Sequence, residues 1–133
     1  MVRSIFNSMA LAVTILLGTI FAVPHLAMAQ GAVAQGSVTG TYSVAGTNPT
    51  GGHYAGTAVV EATGDTYVVT WTVAGDTSAG RGVFLGTTLA VGGVLGQGGF
   101  VFAMTPKGGN LEGIWADMQN GTKLGGEIWT RIK

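Results

Sequence analysis

Alternation of large apolar side chains with small or polar ones is the feature that most constrains this chain. It is clearest around Tyr67, where Tyr67, Val69 and Trp71 fall on one face and the residues between them fall on the other. A period of two residues is typical of a β-strand with one buried face. A similar segment precedes it, and Gly64-Asp65 lies between the two, so the sequence predicts a β-hairpin here.

The same pattern of strand and turn repeats along the chain, and no helical stripe is evident after Ala29. We predict eight strands, over residues 38–45, 54–61, 66–73, 77–85, 88–93, 100–105, 111–116 and 123–131. The predicted connections include a loop over 46–52, a Gly-rich stretch over 92–99, and turns at 106–110 and 119–121. Short strands with short connections favour an antiparallel up-and-down meander that closes, or nearly closes, into a β-barrel.

The first 29 residues have the three regions of a signal peptide. Arg3 supplies a positive charge, residues 9–23 are mostly apolar, and Ala27-Met28-Ala29 has the form of a cleavage site. We predict cleavage after Ala29, a flexible lead-in over 30–37 and one barrel domain over 38–133. A retained membrane anchor is the alternative, although the apolar run is short and interrupted for a span of ~20 residues. Export to the periplasm or the medium follows, with no stable transmembrane anchor after cleavage.

Charge and cysteine content exclude several classes of partner and scaffold. Charged residues make up 9% of the chain, against the ~25% that is usual. No basic patch is present, which argues against nucleic acid and against an anionic membrane surface as partners. Because the chain contains no cysteine, its stability must come from packing and backbone pairing rather than from disulfides.

The chain contains 24 glycines, and some of them alternate with large residues on faces that are predicted to point inward. This alternation fills the taper of a small barrel and permits the bends that closure demands. The same glycines would also leave room for a ligand cavity, so both interpretations stay open, and we favour packing because an interior of this size can be just filled. The alternating sets are Gly40 and Tyr42; Tyr54, Gly56 and Ala58; and Leu111, Gly113 and Trp115.

Residues suited to catalysis or metal binding are sparse. His53 is the one histidine after residue 29, and no serine lies in a nucleophile elbow. Asp65, Asp76 and Asp117 occupy separate turns, which predicts neither a calcium nor a zinc site. We expect no enzymatic activity, no cofactor and no bound metal.

Glu112 and Glu127 lie on neighbouring predicted strands, and paired carboxylates are the groups that glycoside hydrolysis uses. The strand phase places Glu112 in solvent. Glu127 shares a face with Trp129 and is either buried near an arginine or exposed. Arg81 and Arg131 are predicted to stack on a tryptophan or to pair with Glu127.

Aromatic side chains are the most suggestive feature for binding. Most of them should be core residues, but aromatic walls in a barrel mouth also suit flat apolar ligands or sugars. We predict that a ligand site would lie at the open end of the barrel, lined by Tyr54, Trp71, Phe102 and Trp115.

Three short motifs occur along the chain: Gly40-Thr41-Tyr42-Ser43-Val44, Gly64-Asp65-Thr66-Tyr67 and Leu111-Glu112-Gly113-Ile114-Trp115. Over nearly the whole chain after the leader, this pattern resembles a group of small exported bacterial proteins, rich in Gly, Tyr and Trp, that are often labelled fibronectin-binding protein. The resemblance implies a β-fold and a host or matrix protein as partner, and it carries no catalytic residues.

The leading functional hypothesis is an exported, non-enzymatic barrel that binds a small apolar or aromatic ligand, or an extracellular protein. One alternative is a structural envelope-associated barrel with a filled core. Others are an enzyme inhibitor acting through the 46–52 loop and a small outer-membrane barrel, although the predicted strands are shorter than the ~9–11 residues which that class needs. The sequence leaves the oligomeric state open.

Overall fold

A computed structural model describes residues 38–133, so the predicted signal peptide and lead-in lie outside the described residues. Each strand pairs antiparallel with its sequence neighbours, and the last strand returns to pair with the first, so the sheet closes into a barrel. The all-β meander is therefore confirmed as a closed eight-stranded barrel. The strands are β1 (Gly40–Thr47), β2 (His53–Thr63), β3 (Thr66–Val73), β4 (Asp76–Leu85), β5 (Thr88–Leu95), β6 (Gly98–Lys107), β7 (Asn110–Asp117) and β8 (Gly125–Arg131).

Closure leaves no unpaired strand edge, because β1 is bonded to β2 on one side and to β8 on the other. No helix within residues 38–133 is long and apolar enough to cross a membrane.

The predicted Gly-rich loop over 92–99 is wrong. β5 continues to Leu95 and β6 begins at Gly98, so only Gly96 and Gln97 connect them. Gly96 has a φ of 60°, and a glycine at the first central position is typical of a two-residue type II′ hairpin turn. Gly93 lies inside β5, and a Cβ at this position would lie 2.6 Å from the ring of Phe100. The glycines in this stretch therefore accommodate a buried aromatic ring instead of breaking the strand.

Most of the other predicted strands also begin or end at different residues, and three of these differences change a connection. β1 begins at Gly40 and runs on through Thr47, which shortens the predicted loop to residues 48–52. β6 includes residues 106–107, and only Gly108 and Gly109 form the next turn. β7 and β8 are joined by residues 118–124 rather than by a tight Asn-Gly turn. Within this connection the Asp117 carboxylate accepts a 2.5 Å hydrogen bond from the backbone of Asn120.

The inward faces form one continuous core, which confirms the predicted alternation. Tyr42, Tyr67 and Trp129 are fully buried, and Tyr42 and Trp129 pack with ring centroids 5.7 Å apart. A Cβ on Gly56 or Gly113 would run into the backbone of the neighbouring strand, so these glycines let large residues beside them fill the interior. The other buried apolar residues are Val38, Val44, Ala58, Val60, Val69, Trp71, Leu89, Val91, Phe100, Phe102, Met104, Leu111 and Trp115.

Arg131 closes the barrel at the end where the described chain begins and ends. Its guanidinium donates hydrogen bonds to the Thr39 carbonyl at 2.6 Å, the Tyr42 hydroxyl at 2.6 Å and the Gly109 carbonyl at 3.1 Å. The guanidinium carbon also lies 4.8 Å from the centroid of the Tyr42 ring. The rigid fork of arginine suits such a site, because it serves several acceptors at fixed angles. One side chain thus joins the start of the barrel, the β6–β7 turn and β8.

Replacing Arg131 by methionine should lower the free energy of unfolding by about 2 kcal/mol, because hydrogen bonds from a charged donor are lost and their acceptors stay partly buried. Arg131→Lys should recover only part of this, since an ammonium cannot reproduce the fork. Urea unfolding followed by tryptophan fluorescence measures both variants. The matched control is Arg81→Met, because Arg81 is exposed and donates to the threonine hydroxyls at 63 and 66. Equal losses of unfolding free energy in Arg81→Met and Arg131→Met would contradict a special stabilising role for the hydrogen bonds of Arg131.

Candidate functional site

The barrel is filled at one end and open at the other. The connections 48–52 and 118–124, which are the longest in the barrel, lie at the same end as the short turn Ala74-Gly75. A cavity of about 340 Å³ opens there. Its lining residues are Asn48, Tyr54, Trp71, Val73, Ala74, Asp76, Thr77, Ser78, Leu95, Phe100, Phe102, Trp115 and Glu127.

A row of stacked rings lines the interior beneath this opening. Phe102 lies between Trp71 and Trp115, with ring centroids 5.0 Å from Trp71 and 5.4 Å from Trp115. Phe100 meets Trp71 edge-on at 5.4 Å. Contacts of this kind add to the stability that burial gives, so the rings form a stiff apolar wall. The wall remains slightly accessible, as Phe100 is 7% exposed whereas Met104 and Trp129 deeper in the barrel are 0% exposed.

Trp115 is fixed by a polar contact as well as by stacking. Its indole nitrogen donates a 3.1 Å hydrogen bond to the carbonyl oxygen of Thr47 at the end of β1. The ring passes directly over Gly125, where any Cβ would collide with it. The edge of Tyr54 meets it from β2, with ring centroids 6.3 Å apart. The position of Trp115 is therefore set by three different strands, which pre-forms this side of the cavity.

Glu127 supplies the charge at the base of the cavity. It is 3% exposed, and it is the one buried charged residue within residues 38–133. Its Oε1 accepts a 2.5 Å hydrogen bond from the Tyr54 hydroxyl, and its Oε2 accepts from the indole nitrogens of Trp71 at 3.2 Å and Trp129 at 2.5 Å. All three donors are neutral side chains.

The surroundings of Glu127 act on its pKa in opposite directions. Burial raises the pKa of the carboxyl above its ordinary value, and the hydrogen bonds from Tyr54, Trp129 and Trp71 offset part of that rise. Burial, with the Glu127 hydrogen bond and charge beside it, also raises the pKa of the Tyr54 hydroxyl well above its ordinary value. Tyr54 therefore remains a neutral donor to Glu127 at any ordinary pH.

Loops at the rim are held by their own hydrogen bonds. Asn48 N donates to the Gly52 carbonyl at 3.0 Å, and Gly51 N donates back to the Asn48 carbonyl at 2.9 Å. Ala74 adopts a φ of 52°, a left-handed conformation that is uncommon outside glycine. A turn of this shape keeps β3 and β4 tightly joined at the mouth of the cavity. The opening is thus bordered by ordered backbone.

This one cavity is lined by all four residues that were predicted for a ligand site, namely Tyr54, Trp71, Phe102 and Trp115. Glu127 and the rim residues Asp76 and Ser78 were not predicted as part of it. The sequence leaves the phase of β4 open, because small and large residues occur on both of its alternating faces. The register places Ser78 beside Trp71 and therefore inside. The shared face of Glu127 and Trp129 was the available signal for Glu127.

Other predicted candidates lie elsewhere or are occupied. His53 is exposed at the start of β2. Glu112 lies on the outer wall, where its carboxylate pairs with the Lys107 ammonium at 2.8 Å. Pairing of an arginine with Glu127 is wrong, because Arg131 lies at the opposite end of the barrel over Tyr42.

The aspartates do not form a shared site. Hydrogen bonds from Asn120 hold the pKa of Asp117 below its ordinary value, whereas Asp65 is exposed in the β2–β3 turn and Asp76 is exposed as the first residue of β4. Within residues 38–133, no group of three or more His, Cys, Asp or Glu side chains is placed to hold a metal ion.

These features define a small antiparallel β-barrel with an aromatic cavity at one end. Neither a protein-family model nor a curated protein matches the chain. Among solved structures, the chain resembles a redesigned beta barrel at 18% identity and a TM-score of 0.63, over 75% of this chain and 96% of the other.

Two further similar structures have the same fold. The redesigned beta barrel mFAP1, bound to DFHBI, matches at 20% identity and a TM-score of 0.60, covering 73% of this chain and 98% of mFAP1. A de novo designed fluorescence-activating beta barrel matches at 14% identity and a TM-score of 0.51, over 70% and 92% of the two chains. At these identities the likeness concerns the fold alone.

Proposed function

We propose that this protein is a non-enzymatic binding barrel that takes a small, flat, apolar or aromatic molecule into the cavity at its open end. The observation that carries the proposal is the cavity itself, in a barrel whose other end is filled. Its volume of about 340 Å³ falls within the ~300–1,000 Å³ usual for ligand pockets. Aromatic side chains with a small number of polar groups are the lining that such pockets have.

The similar structures support a ligand in a barrel of this size. One redesigned barrel was solved bound to DFHBI, and another barrel of the same fold is described as fluorescence-activating. The proposal transfers to this chain only the idea that a barrel of this fold can hold a small molecule. The choice of molecule rests on this chain's own cavity residues.

Export belongs to the same proposal and rests on the leader-like residues 1–29. A host or matrix protein as partner, which the resemblance implies, has weaker support. Recognition of such proteins often proceeds by strand addition at a free sheet edge, and this barrel is closed on all sides. The small-molecule proposal therefore takes precedence.

Filling the cavity should abolish ligand binding without unfolding the barrel. Ser78 faces the cavity beside Trp71, whereas Ala79, the next residue in β4, faces outward and is exposed. N-phenyl-1-naphthylamine, a neutral aromatic dye whose fluorescence rises in apolar surroundings, is a suitable probe. We expect saturable binding to the wild type, at least about tenfold weaker binding to Ser78→Phe, and unchanged binding to Ala79→Phe, because one added ring takes up space only in the first case.

Thermal unfolding of the two variants, followed by circular dichroism, establishes that both remain folded. No saturable dye binding to the wild type, or equal binding to Ser78→Phe and the wild type, would refute the proposed cavity site. Native mass spectrometry of protein purified gently from its producing cells adds a second measure. A reproducible extra mass on the wild type, absent from Ser78→Phe, is the expected result.

A further inference from the structure

The charge in the cavity restricts the class of ligand. Of the described residues that line it, two carry charge, and both are acidic: Glu127 at the base and Asp76 at the rim. Arg131 binds groups at the opposite end, Arg81 binds threonine hydroxyls near that end, and Lys107 pairs with Glu112 outside. Lys123 lies in the 118–124 connection at the mouth, but it is exposed and is not among the residues that line the cavity. The cavity wall therefore presents negative charge with neutral aromatic rings around it.

Glu127 also retains an acceptor position. A carboxylate has about four sites for accepting hydrogen bonds. Oε2 accepts two hydrogen bonds from indole nitrogens, whereas the one hydrogen bond to Oε1 comes from Tyr54. Because Glu127 and Tyr54 both line the cavity, a ligand donor that enters beside the Tyr54 hydroxyl would be placed to reach this oxygen.

Neutral donors do not balance the charge of a buried carboxylate. Removing an anion from water is costly unless an opposite charge or enough hydrogen bonds compensate. A ligand cation placed here would supply that charge, and the π-faces of the surrounding rings attract cations as well. A charge-assisted hydrogen bond is also about twice as strong as a neutral one.

Resting on the proposed cavity site, we propose that the preferred ligand is an aromatic or apolar cation whose N–H group donates a hydrogen bond to Oε1 of Glu127. The flat body of the ligand would lie against the rings at the mouth, and its protonated nitrogen would point to the base of the cavity. Burial raises the pKa of Glu127. A cation hydrogen-bonded to the carboxylate would lower this pKa, because it stabilises the charged form.

Two probes with the same three fused rings test this inference. Near neutral pH, 9-aminoacridine is a cation with N–H donors, whereas acridine is neutral. Isothermal titration calorimetry of the full chain should show 9-aminoacridine binding at least about tenfold more tightly than acridine. Glu127→Gln should reduce this ratio to near one.

Matched variants separate Glu127 from the other carboxylates. Glu61→Gln, at an exposed position toward the far end of β2, should leave the ratio unchanged. Asp76→Asn removes the rim charge and should lower the affinity for 9-aminoacridine only slightly, mainly at low salt. If Asp76→Asn abolished the preference and Glu127→Gln did not, the assignment to Glu127 would be overturned.

The outcomes also separate this inference from the proposed function. Equal binding of acridine and 9-aminoacridine to the wild type, or tighter binding of the anion anthracene-9-carboxylate, would refute the preference for cations while leaving the cavity site intact. Absence of binding by all three probes and by the naphthylamine dye would refute both. Tyr54→Phe keeps the carboxylate and removes the hydrogen bond that Oε1 accepts from the Tyr54 hydroxyl, so this variant should raise the preference for 9-aminoacridine. An unchanged ratio in Tyr54→Phe would contradict a ligand hydrogen bond to Oε1, even if Glu127→Gln fails to fold.

Discussion

Substitution of Gly113 by alanine is expected to lower the free energy of unfolding by about 3 kcal/mol or to prevent folding, because overpacking a core forces backbone shifts. A Cβ on Gly113 would overlap the carbonyl oxygen of Ala103 and the sulfur of Met104, and would lie 2.9 Å from the Met104 Cα. A flexible side chain can rotate away, but the carbonyl oxygen and the Cα belong to β6, which pairs with β7 at this point. The strands would have to separate to make room.

Gly92→Ala is the matched control. Gly92 also lies inside a strand, but it faces outward, and a Cβ there would lie 3.8 Å from the Phe100 carbonyl oxygen, which is an ordinary van der Waals contact. The free energy of unfolding of Gly92→Ala should be unchanged or rise by about 0.5 kcal/mol, because alanine restricts the unfolded chain. Urea unfolding measures both variants. A loss in Gly113→Ala no larger than that in Gly92→Ala would show that the glycine is not required by the packing of β6 on β7.

Much of the fold follows from the sequence because each strand carries a clear alternation. Tyr67, Val69 and Trp71 indicated the buried face of β3, and the structure buries all three. Short glycine-containing turns indicated antiparallel neighbours, and an unbroken series of antiparallel neighbours is the arrangement of an up-and-down barrel.

Strand ends and connections were predicted less accurately from the sequence, because a glycine can indicate either a turn or a close contact inside a strand. Between residues 92 and 99 it appeared to break the strand, but Gly93 is there to make room for Phe100. Conversely, Asn120-Gly121 looked like a tight hairpin turn, but it lies in a seven-residue connection over 118–124, in which the Asp117 carboxylate accepts a hydrogen bond from the Asn120 backbone. The Gly93–Phe100 contact depends on strand register, which is set only when the chain has folded, whereas the Asp117–Asn120 contact is local and was missed.

The aromatic part of the site was predictable, and its charge was not. Period-two phase is sufficient to place Trp71 and Trp115 inside the barrel. For Glu127, the same phase conflicted with the rule that carboxylates stay exposed. The conflict is resolved only by Tyr54, Trp71 and Trp129, whose hydrogen-bond donors converge on its two oxygens from three strands.

Glu127→Leu is expected to lower the free energy of unfolding by at least about 3 kcal/mol, since each buried donor left without a partner costs about 1–3 kcal/mol. The donors concerned are the Tyr54 hydroxyl and the indole nitrogens of Trp71 and Trp129. Glu127→Gln keeps a carbonyl acceptor and nearly the same shape, so it should remain within about 1 kcal/mol of the wild type at acid pH. A similar loss in both variants would show that a neutral amide cannot replace the carboxylate, and would contradict the assignment of the loss to donors left without an acceptor.

The pH dependence of the same variants tests the charge itself. Because burial raises the pKa of Glu127 above its ordinary value of 4.5, the folded protein holds this proton to higher pH than the unfolded chain does. The stability that comes from the bound proton is complete below that ordinary value and is lost as pH rises through the folded pKa. Glu127→Gln lacks this loss, so urea unfolding over a pH series should show the variant gaining on the wild type as pH rises.

Glu61→Gln, which removes an exposed carboxylate, should follow the wild type across the same series. If the wild type instead gained on Glu127→Gln with rising pH, the three donors would outweigh the cost of burying the anion, and the folded pKa would lie below its ordinary value.

The expected direction has a functional consequence. A carboxylate that is costly to ionise in the empty barrel is stabilised when a cation binds beside it, so a cationic ligand should abolish the pH-dependent loss that the empty wild type shows.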